Sequence, residues 1–337
     1  MRVLVTGGAG YIGSHTVALL HGRGDQVTVL DTLERGHPVA VGEVPLVVGD
    51  VGDRALVRDL LVDHRIEAVV HFAARKSVTE SLADPGAYFA TNTLGSLALL
   101  RAMVDAGVNK LVFSSTCAVY GTPSELPVTE VSPLSPDNPY GESKLLVERM
   151  LPWFEAASGL RTICLRYFNA AGAAADGSNG EDWQHAENLI PVVMRTALGL
   201  GPAVEINGSD YPTPDGTAIR DYVHVLDLAD IHARALDHMA EGGLSATVNV
   251  GTGAGASVLQ VIEATRAASG RTIETRSAPR RPGDPAVIWA DNQLARELLG
   301  WSPRFGLADI VASAWRWHST HPEGHGPLSG SSTGAVA

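Results

Sequence analysis

The chain has 337 residues, of which 45% are hydrophobic and 18% charged; this is the composition of a globular protein with room for one large α/β domain and a smaller one. Asp and Glu outnumber Lys and Arg by 37 to 25, and there is no long basic run, so we expect neither nucleic acid nor a membrane as a partner. The sequence enters a strand-like segment without a signal peptide, contains no membrane-span-length apolar run, and has only Cys117 and Cys164 as cysteines, far apart. These features predict a cytoplasmic protein with reduced thiols.

The first half of the chain alternates short apolar segments with helical patterns. Near-continuous apolar strands that alternate with helices indicate a parallel sheet covered on both faces and joined by right-handed crossovers. The fold class is therefore α/β, with a Rossmann-type doubly wound parallel sheet. We predict strands at 2–7, 26–31, 44–50, 68–74, 110–116 and 161–169, and helices at 12–22, 53–64, 92–106 and 140–157.

The second half is less regular and predicts a smaller α/β domain. Residues 180–199 have the pattern of a loop that feeds a helix, and 204–239 that of a turn-rich hairpin followed by a helix from near Asp227. A further strand is expected at 247–253 and a helix at 256–270. Residues 321–337 are small and polar, so we expect a flexible tail there.

Glycines between the first strand and the first helix form two overlapping patterns. "GAGYIG" at 8–13 is a G-x-G-x-x-G, and Gly7, Gly10 and Gly13 form the wider G-x-x-G-x-x-G. Glycines there permit a tight turn and close approach of the backbone to a pyrophosphate at the helix N-terminus. Asp31 ends the second strand, where a carboxylate accepts hydrogen bonds from a ribose 2′-hydroxyl but repels a 2′-phosphate, so NAD is favoured over NADP. Further positions at strand ends are expected along the same groove: Asp50, Val51, Phe72, Ala73, Ala74 and Lys76.

A tyrosine and a lysine lie one helical turn apart in "YGESK" at 140–144. Pro139 marks the start of this helix, so Tyr140 and Lys144 share one face. A lysine there lowers the proton affinity of the phenol and makes it an acid/base group. Thr116, at the end of the strand "KLVFSST", supplies a hydroxyl that orients a substrate alcohol. The three residues predict hydride transfer between an alcohol carbon and NAD.

These features resemble the short-chain dehydrogenase/reductase superfamily in its extended form. Within it, the chain resembles the UDP-glucose 4-epimerase family over roughly residues 1 to 317. The longest matching segment, "DYPTPDGTAIRDYVHVLDLADIHARAL", is the most specific, because hydride transfer in the wider superfamily does not need it. The other matching segments are "GGAGYIGSH", "SSTCAVYG", "NPYGESK", "LRYFNAAGA", "NLIP", "NVGTG" and "RRPGDPAVIWAD".

The resemblance implies inversion at C4 of a UDP-hexose without net redox change. Tyr140 would take the proton of the 4-hydroxyl while NAD takes the hydride; the 4-keto sugar then turns over and the hydride returns. Tightly held NAD follows from such a cycle. The resemblance also implies a homodimer, an NAD-binding domain at 1–170 with 221–252 packing back onto it, and a mainly UDP-sugar-binding domain at 171–320. The dimer would form through the helices at 92–106 and 140–157.

The family's binding residues carry over position by position. Arg220 and Arg281 fit pyrophosphate clamps, because guanidinium donors match phosphate oxygens. The cofactor positions are Tyr11, Ile12, Asp31, Asp50, Val51, Phe72, Lys76, Asn92, Tyr140, Lys144 and Phe168. The nucleotide-sugar positions are Thr116, Tyr140, Asn169, Asn188, Leu189, Glu205, Ile206, Asn207, Arg220, Arg281, Asp284 and Ile288.

Four positions depart from the family's pattern. Thr116 stands where many members have serine and keeps the hydroxyl, whereas Asn207 stands where an aromatic can pack near the uracil. "FAARKS" replaces a glycine-containing stretch. Ile288 falls where the family limits room beside the sugar C2 substituent, and its size predicts poor or partial acceptance of N-acetylated UDP-hexosamines.

Other functions occur on the same scaffold. A nucleotide-sugar 4,6-dehydratase needs an acid/base pair after the strand-end threonine, where Cys117 and Ala118 stand, and a UDP-sugar decarboxylase needs a further acid that we cannot assign. Epimerases of UDP-uronates or N-acetylated UDP-hexosamines remain open. A non-catalytic NAD-binding regulator has no reason to keep Thr116, Tyr140 and Lys144 together. The twelve histidines form no ligand set at helical spacing, so no metal is predicted.

Overall fold

The computed structural model describes residues 1–183, 186, 188–281 and 284–326. In this part of the chain a sheet of seven parallel strands forms the centre of the molecule, in the spatial order β11-β6-β5-β4-β1-β2-β3. The order reverses between β1 and β4, which opens a crevice at their carboxyl ends. The predicted Rossmann-type doubly wound sheet is therefore confirmed. Its strands are β1 (Arg2–Thr6), β2 (Gln26–Asp31), β3 (Leu46–Val48), β4 (Ala68–His71), β5 (Lys110–Thr116), β6 (Arg161–Tyr167) and β11 (Ala246–Val250).

Helices cover both faces of this sheet. Val3 and Val5 of β1 point into a core shared with α1 and α8, whereas Leu4 points into a core shared with α2, α5 and α6. Burial on both faces explains why the strands lack an alternating polar pattern. The helices are α1 (Tyr11–Gly22), α2 (Arg54–Asp63), α3 (Val78–Ala83), α4 (Pro85–Tyr88), α5 (Gly95–Ala106), α6 (Pro139–Ser158), α7 (Leu189–Ala197), α8 (Val225–Ala240), α9 (Val258–Ser269), α10 (Gln293–Leu299) and α11 (Leu307–Thr320).

The helix predicted at 92–106 begins earlier than expected. A π-helical segment, Phe89–Leu94, joins α4 to α5, so the chain is helical from Pro85 onward. Short 3₁₀ turns occupy Pro38–Val41 and Cys117–Tyr120. π-helical segments are often found at functional sites, and this one contains Asn92.

The second half packs α7, α9 and α11 around two smaller apolar cores. The hairpin predicted in 204–239 is wrong: β8 pairs in parallel with β13, while β9 pairs with β12 and β14. Turn residues mark where a chain bends, but they do not identify the strand with which each arm pairs. The short strands are β7 (Asn169–Ala171), β8 (Val204–Asn207), β9 (Ile219–Arg220), β10 (Tyr222–His224), β12 (Ala256–Ser257), β13 (Thr275–Ala278) and β14 (Val287–Ile288).

Two elements of the second half belong to the large sheet. β11 pairs with β6 at the sheet edge, and α8 packs against α1. The domain limits given above stay a prediction. Of the expected tail, residues 327–337 lie outside the described residues, while the ring of His325 packs against Trp317 and His37. None of the described helices combines the length and apolar character that a membrane crossing requires.

Candidate active site

The glycine turn brings backbone groups together at the crevice between β1 and β4. Gly7 has φ +72°, and a Cβ there would come within 2.5 Å of the Ala73 backbone nitrogen. A Cβ on Gly13 would overlap the carbonyl oxygen of Gly7. α1 starts at Tyr11, so its first N–H groups face the turn without a carbonyl one turn back. The turn therefore fits a dinucleotide pyrophosphate, which needs close backbone approach and the positive end of a helix.

Asp31 lies beside this turn at the end of β2. Its carboxylate accepts backbone hydrogen bonds from Ala9 at 3.0 Å and from Leu33 at 2.9 Å. Burial raises the pKa of Asp31, and these two hydrogen bonds oppose that rise. Each oxygen keeps a further lone pair, so the carboxylate is positioned to accept from a ribose hydroxyl.

Other predicted cofactor positions line the ends of β3 and β4. Asp50 accepts a hydrogen bond from Gly52 in an exposed turn, at 2.7 Å, and Val51 is buried against α5. Phe72 follows β4, its ring centroid 4.6 Å from that of His232, and Ala74 follows Ala73 in the same segment.

Asn92 joins the segment after β4 to α6. Its side chain accepts from the Arg75 backbone N–H at 2.8 Å and donates to the Arg75 carbonyl at 3.0 Å. It also donates to the Ser143 hydroxyl at 2.9 Å. Three hydrogen bonds thus hold this buried amide beside α6.

Lys76 meets the second half of the chain at Glu181. Its ammonium lies 2.9 Å from a Glu181 carboxylate oxygen, to which the Asn188 side chain also donates at 3.2 Å. A predicted cofactor residue and a predicted substrate residue therefore converge on one buried acid. Sequence reasoning missed Glu181, because it lies in a loop without periodicity or a matching motif.

The start of α6 is determined by local chemistry. The Asn138 side chain caps the helix by accepting from Gly141 N–H at 2.9 Å, and Pro139 occupies the first turn. Both are favoured at helix N-termini. The cap positions Tyr140 and Lys144 toward the end of β5.

Tyr140, Thr116 and Lys144 meet at the carboxyl end of β5. Burial raises the pKa of Tyr140 to about 12, and a hydrogen bond with Thr116 opposes the rise. The Lys144 ammonium donates to the Ser114 carbonyl at 2.8 Å and lies 4.9 Å from the Phe113 ring centroid. Burial lowers the pKa of Lys144 to about 7. The site thus places the neighbouring hydroxyls of Tyr140 and Thr116 beside a buried amine whose pKa lies near neutral pH.

Part of the predicted substrate set lies at β9 and β14. Arg220 forms an ion pair with Asp284, and Ile288, which is buried, is its register partner in the parallel ladder. Asn169, after the buried Phe168, donates through its backbone and its side chain to the Asp221 carbonyl at 3.0 and 3.1 Å. These residues therefore surround the segment that begins with Arg220.

The remaining predicted substrate positions lie on other elements. Ile206 and Leu189 belong to an apolar core, and Asn207 donates only weakly, at 3.5 Å, to the Glu205 carbonyl. Glu205 is exposed and pairs with Arg276 at 2.5 Å. Arg281 is exposed. Among the described residues, no hydrogen bond or ion pair joins these five residues to Thr116, Tyr140 or Lys144.

The fold and this site define a nucleotide-binding enzyme with a Tyr-Lys-Thr set at the crevice of a doubly wound sheet. A model described as the NAD dependent epimerase/dehydratase family matches residues 3–251. The UDP-glucose 4-epimerase of Halalkalibacterium halodurans is 47% identical over 326 residues, covering 96% of this chain and 98% of the relative. This chain therefore belongs to the NAD dependent epimerase/dehydratase family.

Solved structures agree in fold over nearly the whole chain. The crystal structure of UDP-glucose 4-epimerase from Stenotrophomonas maltophila, with bound NAD and formylated UDP-arabinopyranose, has a TM-score of 0.93 at 43% identity, covering 96% of this chain and 99% of that chain. The enzyme from Bifidobacterium longum, in complex with NAD⁺ and UDP, has a TM-score of 0.90 at 41% identity, covering 96% and 100%.

Proposed function

We propose that this protein interconverts UDP-galactose and UDP-glucose by inverting the configuration at C4 of the hexose. The contact between Tyr140 and Thr116 at the end of β5, with the buried Lys144 one turn along the same helix, carries the proposal. The dinucleotide turn and the family membership support it. The reaction is an isomerisation without net redox change.

Each member of the catalytic set has its own role. Thr116 accepts and donates hydrogen bonds that orient the 4-hydroxyl, and Tyr140 removes its proton and later returns it. NAD, when bound, supplies reversible hydride acceptance at the sugar carbon. Lys144 lowers the pKa of Tyr140 when it is charged, because a nearby ammonium stabilises the phenolate. General acid/base catalysis of this kind contributes roughly 10²–10⁴-fold to the rate.

The cofactor is held by both the glycine turn and side chains. Gly7, Gly10 and Gly13 let the backbone approach the pyrophosphate, and Asp31 receives the adenosine ribose. The other residues along the groove are Tyr11, Ile12, Asp50, Val51, Phe72, Ala73, Ala74, Lys76, Asn92 and Phe168. Each turnover first oxidises the sugar and then reduces it again. The same cofactor must therefore stay bound between the two steps.

The nucleotide sugar binds across the segment that begins at Arg220. Pyrophosphate oxygens compete with Asp284 for the Arg220 guanidinium, which is suited to bidentate phosphate contact. Arg281 supplies a second cation from the exposed side. The remaining positions proposed to contact UDP or the sugar are Asn169, Asn188, Leu189, Glu205, Ile206, Asn207 and Ile288.

The proposed reaction is tested by adding UDP-galactose to the purified full chain without added NAD and following both sugar nucleotides by proton NMR. UDP-glucose should accumulate to a constant ratio, and Tyr140→Phe should slow the conversion greatly. No conversion even with added NAD would reject this substrate pair. Conversion only after NAD addition would reject tight cofactor retention and leave the reaction in place.

Epimerisation of another UDP-sugar on the same catalytic set is the second candidate. Ile288, buried on β14 beside the Arg220 strand, has a side chain smaller than tyrosine and larger than glycine or cysteine. We propose that it restricts room beside the C2 substituent and so disfavours N-acetylated UDP-hexosamines.

We also propose a homodimer formed through α5 and α6. Large apolar side chains are exposed here: Trp153 of α6 is 78% exposed and Val104 of α5 42%, and Leu94, which directly precedes α5, is 61% exposed. Exposed apolar side chains on two neighbouring helices favour burial against a second copy.

We also propose that the protein acts in the cytoplasm, on the basis of its cysteines. Cys117 and Cys164 are both free thiols. A reducing compartment keeps such thiols intact.

A further inference from the structure

One face of α6 carries a third ionisable residue beyond Tyr140 and Lys144. Glu148 lies one more turn along the helix, so the three residues follow at intervals of four and share a face. All three dock on successive residues at the end of β5. Tyr140 contacts Thr116, Lys144 contacts the Ser114 carbonyl, and Glu148 accepts from the Ser115 hydroxyl.

Glu148 forms a buried ion pair with Arg166 of β6. The guanidinium Nε lies 3.0 and 3.2 Å from the two carboxylate oxygens, and Nη2 is 2.5 Å from Oε2. The side chains are only 5% and 6% exposed. A bidentate pair buried this deeply is strongly held, and loss of either partner leaves a costly unpaired charge.

Arg166 is itself held by neutral groups. Its Nη1 donates to the Tyr120 hydroxyl at 2.9 Å and to the Glu130 carbonyl at 3.2 Å. The orientation of the guanidinium toward Glu148 is therefore determined from outside α6. One carboxylate thus faces two buried cations, Arg166 by direct contact and Lys144 one turn away.

Among the described residues, Glu148 is the acid whose negative charge acts on the Lys144 ammonium. Burial lowers the pKa of Lys144 to about 7, and Glu148 opposes that shift. His71 of β4, whose pKa burial lowers to about 3, is neutral. The remaining titratable or charged groups nearby are the phenols of Tyr140 on α6 and of Tyr167 on β6, and the Arg166 guanidinium beyond Glu148.

We propose that Glu148 is a positioning residue for the catalytic set: it is the counter-ion that keeps Lys144 charged, and Arg166 limits how strongly it does so. This rests on the proposed function, in which a charged Lys144 activates Tyr140. Glu148 touches neither substrate nor cofactor in this role. It acts through the lysine.

The charges of Glu148 and Arg166 should shift the pKa of Lys144 in opposite directions. Glu148→Gln removes the negative charge, so the pKa of Lys144 falls and the ammonium is lost at lower pH. Arg166→Gln leaves the carboxylate uncompensated, so the pKa of Lys144 rises. A purely structural ion pair predicts instead that both variants lose stability while Lys144 titrates as before.

The titration can be measured directly, because the chain contains only three lysines, Lys76, Lys110 and Lys144. Lysine labelled with ¹³C at Cε gives three resolvable signals, and Lys76, half exposed, and Lys110 serve as internal controls. We expect the Lys144 midpoint to move down by about one pH unit in Glu148→Gln and upward in Arg166→Gln. Glu148→Asp should restore the midpoint in part.

The same variants are then assayed as holoenzyme for UDP-galactose turnover at pH values on both sides of the Lys144 midpoint. The alkaline limb of kcat should follow the Lys144 midpoint in each variant, while KM changes little. The double variant Glu148→Gln/Arg166→Gln replaces the ion pair with two amides that can hydrogen-bond, and should titrate between the two single variants. It keeps the test informative where a single variant fails to fold.

The outcomes separate the two hypotheses. An unchanged Lys144 midpoint in the folded variants would overturn the role of Glu148 while leaving the proposed reaction standing. Opposite midpoint shifts in an enzyme without UDP-galactose turnover would establish the electrostatic coupling and reject the proposed substrate. Shifts of both variants in the same direction would overturn the counter-ion role.

Discussion

The hydroxyl of Tyr11 donates a hydrogen bond of 2.6 Å to the carbonyl oxygen of Gly172. This bond joins the first residue of α1, at the dinucleotide turn, to the loop after β7, 161 residues away in the sequence. Gly172 has φ +91° and lies against His224, with no room for a Cβ. The Tyr11 side chain is therefore engaged within the protein, and only its backbone N–H is available to a pyrophosphate.

Tyr11→Phe should lower the free energy of unfolding by about 1–3 kcal/mol, because a buried carbonyl loses its donor. Urea unfolding of the NAD-loaded protein measures this. Tyr211→Phe is a matched control, since the Tyr211 hydroxyl is buried and has no hydrogen-bond partner in the described part of the chain. We expect no loss of stability there. Equal losses in both variants would contradict a role for the Tyr11–Gly172 bond.

Tyr140→Phe should reduce kcat for UDP-galactose by roughly 10²–10⁴-fold, because the proton acceptor is removed. KM should change much less, since the ring remains. Thr116→Ser keeps the hydroxyl and should retain most activity, whereas the isosteric Thr116→Val should lose it. Steady-state kinetics of the wild type and the three variants measures these effects. Full activity in Thr116→Val would rule out the role of the Thr116 hydroxyl in orienting the substrate.

Acid should destabilise the protein through buried histidines. Burial lowers the pKa of His318 from 6.5 to about 4, and those of His224 and His232 likewise to about 4. Because the folded-state pKa is depressed, the unfolded chain binds more protons between pH 6.5 and about 4. Stability is therefore intact above this window and is lost as the pH falls through it.

His318→Phe tests this at one site. The variant keeps an aromatic ring at the position where His318 stacks on Trp183, with 4.8 Å between the ring centroids. It removes one titrating group, whose contribution to the pH dependence of the free energy of unfolding is at most about 3 kcal/mol. Urea unfolding at several pH values should give a shallower acid slope than in the wild type. The surface variant His21→Phe is the control for replacing a histidine by phenylalanine. An identical slope in His318→Phe would exclude this histidine as a source of acid lability.

Ile288→Gly should raise kcat/KM for UDP-N-acetylgalactosamine relative to UDP-galactose by about tenfold or more, and Ile288→Tyr should lower it. Glycine leaves more room beside the sugar C2 substituent than isoleucine does, and tyrosine leaves less. Val287→Ala is the control, because successive residues of a strand point to opposite faces. The ratio measured for wild-type protein should favour UDP-galactose, and equal rates for both substrates would reject the steric role of Ile288.

Trp153→Glu should convert the proposed dimer into monomers, because a charge cannot be buried unpaired at an apolar interface. Sedimentation velocity measures the oligomeric state. Val131→Glu, at a position 92% exposed on the loop before α6, should leave it unchanged. A wild-type monomer at all accessible concentrations would contradict the dimer itself.

Much of this architecture follows from local sequence chemistry. Apolar strands alternating with helices require a sheet buried on both faces, and glycines at Gly7 and Gly13 are required where backbones touch. Asn138 and Pro139 specify where α6 begins, so the shared face of Tyr140 and Lys144 could be read from spacing alone. These features depend on neighbours in the sequence, which is why they were predictable.

The pairing of distant segments was decided only by the tertiary structure. Strand partners in the second half are selected by packing, so β8 pairs with β13 and the predicted hairpin does not form. Glu181 receives Lys76 and Asn188 from different parts of the chain. The spacing of Glu148 from Tyr140 and Lys144 is visible in the sequence. Its proposed role depends on the ion pair with Arg166 of β6 and on the burial that lets one carboxylate act on two cations, and only the tertiary structure shows these.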